Sequence, residues 1–154
     1  MTELKDGSVY QVINTANHLL LAYSIDQDIP AGCWLTAESY ADEHHEFRFK
    51  AISCRGDKWK FAVVGEPNLC VGFQGSISGG LQIIQDGGEG CHTEWLVNYD
   101  HRSGPSLARV CAKSDNGWVC WCIPNGGPPG AVVGLANPQG SLEQLWKFFA
   151  PVDN

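Results

Sequence analysis

The stretch Gln144-Leu145-Trp146-Lys147-Phe148-Phe149, near the C-terminus, decides the fold. It has the pattern of an apolar, aromatic strand that opens on Gln-x-Trp, and two weaker copies lie upstream at residues 93–97 (TEWLV) and 45–49 (HEFRF). The aromatic anchors of the three copies are Phe47, Trp95 and Trp146, at spacings of 48 and 51 residues. A period of about fifty residues in a chain of 154 residues indicates three structural repeats.

The composition indicates a globular protein with an acidic surface. Hydrophobic residues make up 44% of the chain and charged residues 18%, so there is enough apolar material for a core. The net charge of −7 argues against nucleic acid or an anionic membrane as a partner, because both attract clustered Lys and Arg. No apolar run is long enough to span a membrane. The polar N-terminus lacks the apolar segment of a secretory signal, so we expect a cytoplasmic protein.

The seven cysteines are odd in number, and most lie within apolar runs such as Leu69-Cys70-Val71. This pattern favours reduced thiols that pack as small hydrophobic side chains. A disulfide framework would suit a shorter secreted chain better. The residue types of a zinc site are present in Cys120-x-Cys122, Cys91-His92 and Cys111. However, two cysteines at i and i+2 on a strand share one face and often simply pack, so we predict no metal and no cofactor.

The whole chain has the punctuation of an all-β protein. No stretch of eleven or more residues shows the apolar periodicity of a helix. Short strand-like runs alternate instead with clusters of Gly, Pro, Asn and Asp, as in Lys58-Trp59-Lys60-Phe61-Ala62-Val63 followed by Gly65-Glu66-Pro67-Asn68. Four such runs fall in each of three units, at about residues 8–52, 58–100 and 106–150. The pattern predicts one all-β domain over residues 1–154.

This layout resembles the β-trefoil, in which six strands close a barrel and three hairpins cover one end. It is similar in particular to the ricin-B-type β-trefoils of fungi, which include mushroom lectins and mushroom protease inhibitors such as mycocypins and cocaprins. The matching residues are Tyr10-x-Val12-Ile13-Asn14, Gly32-x-Trp34-Leu35, Gly80-Leu81-x-Ile83 and Gln144-x-Trp146. The resemblance covers nearly the whole chain. It implies three four-stranded repeats with pseudo-threefold symmetry and a binding function without catalysis.

The sugar-binding residues of ricin-B-type lectins are missing from this sequence. In those lectins the sugar is bound by an Asp just after the Cys-Val of the second strand, an aromatic residue on or after the third strand, and an Asn-Gln pair near the Gln-x-Trp. The Asp positions correspond here to Ala22, Gly72 and Trp121, and the aromatic positions to Thr36, Ile84 and Gly134. The Asn-Gln pair is absent from all three units. A galactose-type pocket is therefore not expected.

The resemblance to fungal inhibitors directs attention to the loops. A rigid barrel can present a loop that loses little entropy when it enters a protease cleft. The candidate loops lie between the second and third strands of the units, at residues 24–31, 74–80 and 124–130. The residues predicted to contact a protease are Ile25, Asp26, Gln27, Asp28, Ile29, Asn125, Gly126 and Gly127. The leading hypothesis is an inhibitor of cysteine or aspartic proteases.

Arg55 is a further candidate, because it lies in the segment that joins the first two units. In Kunitz-type plant trefoil inhibitors this connection carries the basic residue that enters a trypsin-like specificity pocket. The alternative interpretation is a solvated linker residue.

The second hypothesis is a carbohydrate-binding lectin that uses a different pocket. Trp34, Trp118 and Trp121 are then the candidates for stacking on a sugar. No nucleophile motif, metalloprotease motif or phosphate-binding Gly loop is present, so we predict no enzymatic activity. The sequence leaves open whether the chain forms a homodimer.

Overall fold

The computed structural model describes residues 4–26, 31–39, 43–75, 80–100, 107–114, 117–123 and 127–150. These ranges consist of strands and turns, with one 3₁₀ turn at Leu142–Gln144 and no α-helix. None of the described segments is a helix long and apolar enough to cross a membrane. The strands are β1 (Val9–Asn14), β2 (Leu20–Ser24), β3 (Thr36–Glu38), β4 (His45–Glu46), β5 (Phe49–Ser53), β6 (Lys58–Val63), β7 (Glu66–Gln74), β8 (Gln82–Gln85), β9 (Cys91–His92), β10 (Trp95–Tyr99), β11 (Leu107–Ser114), β12 (Gly117–Cys122), β13 (Ala131–Val132), β14 (Gly134–Ala136) and β15 (Trp146–Phe149).

Six of these strands close a barrel. Strand β1 pairs with β5, β5 with β6, β6 with β10, β10 with β11, β11 with β15, and β15 returns to β1. Three outer pairs, β2–β3, β7–β8 and β12–β14, extend from this barrel in the same order along the chain. All of these pairings are antiparallel. Closure leaves the six barrel strands without a free edge.

The residue that precedes the second strand of each outer pair meets its two counterparts in a cyclic set of backbone hydrogen bonds. The amide of Leu35 donates to the carbonyl of Leu81, Leu81 donates to Val133, and Val133 donates to Leu35, each at 2.9 Å. All three side chains are fully buried. The triangle ties the three parts of the chain together at one end of the barrel and satisfies buried backbone groups that have no strand partner there.

Three tryptophans fill the centre of the core. The rings of Trp95 and Trp121 meet edge to face at 5.4 Å, and those of Trp121 and Trp146 at 6.0 Å. The Trp95 indole donates to the carbonyl of Val71 at 2.9 Å, and the Trp146 indole donates to the carbonyl of Trp121 at 3.0 Å. The Gln-x-Trp strand is thus anchored by packing and by a buried hydrogen bond, which makes it part of the fold.

The anchor of the first unit is Phe49, and the assignment of Phe47 was wrong. Phe49 is the first residue of β5, as Trp95 is of β10 and Trp146 is of β15, and it is fully buried. Phe47 precedes the strand and packs in a separate small cluster with Leu20. The two phenylalanines are two residues apart and therefore in the same phase of a strand's alternation, so the spacing to Trp95 could not distinguish them.

The prediction of fully reduced cysteines was also wrong, because Cys111 and Cys120 form a disulfide. The two residues are directly opposite each other on β11 and β12. Val110 and Ala112 point into the main core, so alternation places Cys111 on the outer face of the barrel wall. The other five cysteines are thiols.

Candidate functional site

A cleft of about 370 Å³ lies on the outer surface of the barrel, where β6, β10 and the β11–β12 hairpin meet the segment after β8. We call it the wall cleft. Its lining includes the apolar residues Leu96, Cys111 and Ala112. Its other principal lining residues are Lys58, Lys60, Asp86, His92, Thr93, Glu94, Lys113 and Trp118.

The β11–β12 hairpin supplies the aromatic side of the wall cleft. Lys113 and Trp118 are directly opposite each other in the ladder, two positions from the Cys111–Cys120 pair. Residues two apart on a strand share a face, so the disulfide lies beside them on the outer face of the same hairpin. The Trp118 side chain is 42% exposed. A large aromatic ring is therefore presented to solvent from a cross-linked hairpin.

A polar network also lines the wall cleft. The Lys60 ammonium donates to one oxygen of Asp86 at 2.7 Å, and the Thr93 hydroxyl donates to the other oxygen at 2.6 Å. Burial acts to raise the pKa of Asp86, but these two hydrogen bonds, the positive charge of Lys60 and a hydrogen bond from the Gly87 backbone together outweigh it, and the pKa is lowered. The hydrogen bond to Asp86 raises the pKa of Lys60 against the opposing effect of burial. Asp86 is held as a carboxylate and fixes the position of Lys60.

The three tryptophans predicted to stack on sugars have different environments. Trp118 lines the wall cleft, whereas Trp34 is 45% exposed elsewhere, at the end of the barrel with the backbone triangle. Trp121 is fully buried in the core, so its assignment as a stacking residue was wrong. Side chains along a strand point alternately to its two faces, and Trp121 lies on the face that points into the core.

The predicted protease-contact loops fall largely outside the described residues. This is the case for Gln27, Asp28, Ile29, Asn125 and Gly126. Gly127 is buried and its carbonyl accepts a hydrogen bond from the Asn17 amide at 3.0 Å, so a direct contact with a protease is inconsistent with its position.

At the start of the first loop, Ile25 is 51% exposed. Its amide donates to the carbonyl of His44 at 2.9 Å. The Asp26 carboxylate lies 3.2 Å from Nδ1 of the same histidine. Both residues are thus accessible, and they are tied to the neighbouring segment of the chain.

Arg55 is exposed in a tight turn between β5 and β6. The Cys54 amide closes this turn by donating to the carbonyl of Lys58 at 2.8 Å. The Ser53 amide donates to the carboxylate of Asp6 at 2.9 Å. These bonds fix both ends of the turn while the guanidinium remains accessible.

The structure corrects one of the three positions that were aligned with the Asp of the lectin sugar pocket. The strand registers place Cys122, not Trp121, at the position equivalent to Ala22 and Gly72. None of these residues has a carboxylate. At Gly72 even a Cβ atom would overlap the backbone carbonyl of His92 and lie 2.9 Å from Cδ1 of Ile84. An Asp of the lectin type has no space there.

The residues that sequence reasoning missed are the polar members of the wall cleft. Lys58 and Lys60 were recognised only as the polar positions of an alternating strand, and Lys113 and Asp86 were not considered as site residues. Their signal is the alternation itself, since Lys58 and Lys60 share the outer face of β6. The zinc hypothesis is not favoured by the structure, because Cys111 and Cys120 are joined to each other. Within the described ranges no group of three potential metal ligands is present.

No protein-family model matches this sequence, and no curated protein does. Solved structures do match. The ricin B-like lectin of Macrolepiota procera, solved in complex with lactose, is 17% identical with a TM-score of 0.75, and the match covers 97% of this chain and 100% of the lectin. A proteinase inhibitor from Coprinopsis cinerea is 15% identical with a TM-score of 0.66, and the match covers 97% and 100% of the two chains.

A designed threefold-symmetric protein, ThreeFoil, is 16% identical with a TM-score of 0.69 over 91% of this chain and 96% of its own. At these identities the likeness shows the fold alone. This chain is all-β and has the fold of the fungal ricin B-like β-trefoil proteins, which confirms the resemblance at the level of the fold. Lectins and an inhibitor share that fold, so function has to come from the site.

Proposed function

We propose that this chain is a single-domain, non-enzymatic β-trefoil protein of three four-stranded repeats that binds a carbohydrate in the wall cleft. The observation that carries the proposal is the exposed Trp118 ring, which lies opposite Lys113 at the side of a cleft with several charged groups. A flat aromatic ring can cover the apolar face of a sugar, while the surrounding polar groups hydrogen-bond to its hydroxyls.

The rigidity of the cleft supports this proposal. The Cys111–Cys120 disulfide crosslinks the hairpin that carries Trp118. Asp86 is fixed by Lys60 and Thr93. A site that is already ordered loses less conformational entropy when a ligand binds. This site also differs from the lectin pocket whose residues are missing, so the loss of that pocket does not count against it.

A glycan array followed by titration calorimetry tests the proposal. We expect the protein to bind a defined set of oligosaccharides, and Trp118→Ala to weaken that binding about tenfold or more, since stacking and its buried area are lost. Trp118→Phe should retain part of the affinity. Trp34→Ala is the matched control, because it removes the other strongly exposed tryptophan and should bind as the wild type does.

Two results would overturn the carbohydrate proposal. One is a protein that binds no glycan on a broad array. The other is a bound glycan whose affinity is unchanged in Trp118→Ala, which would place the ligand outside the wall cleft.

Protease inhibition is the second candidate, favoured by the turn that carries Arg55. An exposed guanidinium on a turn with both ends fixed by hydrogen bonds can enter an acidic specificity pocket at low entropic cost. Titration against trypsin tests this turn, with Arg55→Ala expected to abolish any inhibition. Papain and pepsin test the loops that include Ile25 and Asp26. Full activity of all three proteases at tens of micromolar protein would exclude this candidate.

A further inference from the structure

The wall cleft concentrates positive charge on an acidic protein. The chain has a net charge of −7 with ten Lys and Arg residues. Three of those ten, Lys58, Lys60 and Lys113, line this one cleft, against the two carboxylates of Asp86 and Glu94. Lysines therefore outnumber carboxylates in the cleft, whereas acidic residues outnumber basic ones in the chain as a whole.

Two of the three ammonium groups are available to a ligand. Lys60 is bound to Asp86 at 2.7 Å. Lys58 and Lys113 are both exposed, and neither ammonium group has a hydrogen bond or ion pair with another described residue.

The strand pairing places these two lysines close enough to bind one ligand together. Lys58 faces Leu96 on the next strand, and Leu96 faces Cys111 on the strand after that. Lys113 is two residues further along β11. With strands about 4.8 Å apart and residues about 3.4 Å apart, the two Cα atoms lie roughly 12 Å from each other. Long lysine side chains can converge over that distance on one anionic group beside Trp118.

We propose that the wall cleft selects acidic glycans, with Trp118 stacking on a sugar ring and Lys58 and Lys113 binding its carboxylate or sulfate. This selectivity rests on the proposed carbohydrate function. A lysine ammonium is a compact charge with no planar geometry to match, so the cleft accepts either anion. Binding is salt-dependent, because both ammonium groups are exposed and their attraction is screened by ions.

The experiment compares matched pairs of ligands by titration calorimetry at low and moderate salt. The carboxylate arm uses tetragalacturonate and its methyl ester, and the sulfate arm uses sulfated and unsulfated dextran oligosaccharides. A single-stranded oligonucleotide serves as a polyanion without sugar acids. We expect the charged member of at least one glycan pair to bind about tenfold more tightly than its neutral counterpart, and the oligonucleotide not to bind.

Two lysine variants and a matched control locate the effect. Lys58→Gln and Lys113→Gln should each weaken binding of the charged glycan about two- to fivefold, the range of an exposed ion pair, and leave the neutral glycan unchanged. Lys147→Gln makes the same change in net charge on the exposed surface of β15 and should have no effect.

The outcomes separate the two proposals. Equal affinity for charged and neutral members, with binding still lost in Trp118→Ala, would overturn the charge selection and leave the carbohydrate function standing. Unchanged affinity of both lysine variants for the charged glycan would likewise overturn the charge selection and leave the carbohydrate function standing. Tight binding of the oligonucleotide would overturn the assignment to glycans, and no binding of any sugar would overturn both proposals.

Discussion

Reduction of the Cys111–Cys120 disulfide is expected to lower the stability of the folded protein, whereas reductant would leave the stability of a protein with thiols alone unchanged. The two cysteines are nine residues apart in sequence, so the bond closes a loop of about ten residues in the unfolded chain. The chain-entropy relation assigns such a loop about 2.7 kcal/mol at 25 °C. In a domain of this size, each kcal/mol corresponds to about 2–4 °C, so the melting temperature should fall by about 5–10 °C.

The assay combines thiol counting with thermal unfolding. The chain has seven cysteines, two of them joined in the disulfide, so the denatured, unreduced protein should titrate five thiols, and seven after reduction. Burial raises the pKa of the Cys70 thiol to about 12, so the count needs denaturant. A Cys54→Ala variant is the control. It keeps the disulfide, so any difference in stability between this variant and the wild type should be the same with and without reductant. Seven thiols before reduction, or the same melting temperature with and without reductant, would refute the reasoning.

Two further predictions concern Gly72, which packs beneath His92, and Asp86, which lines the wall cleft. Gly72→Ala should destabilise the fold by about 1–3 kcal/mol in chemical denaturation, because its Cβ would overlap the carbonyl of His92; unchanged stability would contradict that packing. Asp86→Asn should lose the ion pair with Lys60 and unfold more readily at neutral pH. Since the pKa of Asp86 is lowered from 3.8, its stabilisation is present above that value and is lost as the pH falls through the folded-state pKa. Unfolding curves from neutral to strongly acidic pH should therefore converge for wild type and variant, and a constant difference would contradict this.

The repeat period predicted three units, and the resemblance to the β-trefoil predicted the six-stranded barrel. The period is visible in the sequence because equivalent strands of the repeats each bury an aromatic residue at the same position. Trp95 and Trp146 occupy equivalent first positions in β10 and β15. The error at Phe47 had a physical origin. Phe47 and Phe49 are both buried and alternate in phase, and only the pairing of β5 with its neighbours shows which of them begins the strand.

The cysteine pairing depended on cross-strand register, which the sequence leaves undetermined. Once the ladders are aligned, Cys111 opposite Cys120 corresponds to Ala62 opposite Cys70. The corresponding pair in the first unit has no cysteine. A disulfide can therefore form at this ladder position in the third unit alone. Seven cysteines scattered over apolar runs gave no indication of this, because the partners could not be identified without the register of the two strands.

The wall cleft could not be predicted because its residues come from different units. Lys58 belongs to the start of the second unit, whereas Lys113 and Trp118 belong to the third. Sequence reasoning compared equivalent positions within units and searched for a known sugar pocket there. Closure of the barrel instead places β6, β10 and β11 side by side, and that adjacency assembles a site from residues that no motif joins.

The pseudo-equivalent positions argue for one such site per chain. Two residues before the aligned ladder positions of the second strands lie His18, Asn68 and Trp118. Only the third offers a large aromatic face. The groove beside His18 is larger, about 560 Å³, yet it is lined by a single lysine, Lys147, and lacks a tryptophan. We therefore expect calorimetry to give one bound oligosaccharide per chain. Two equal sites would show that stacking by Trp118 is not what defines the binding surface, since His18 would then have to serve as well.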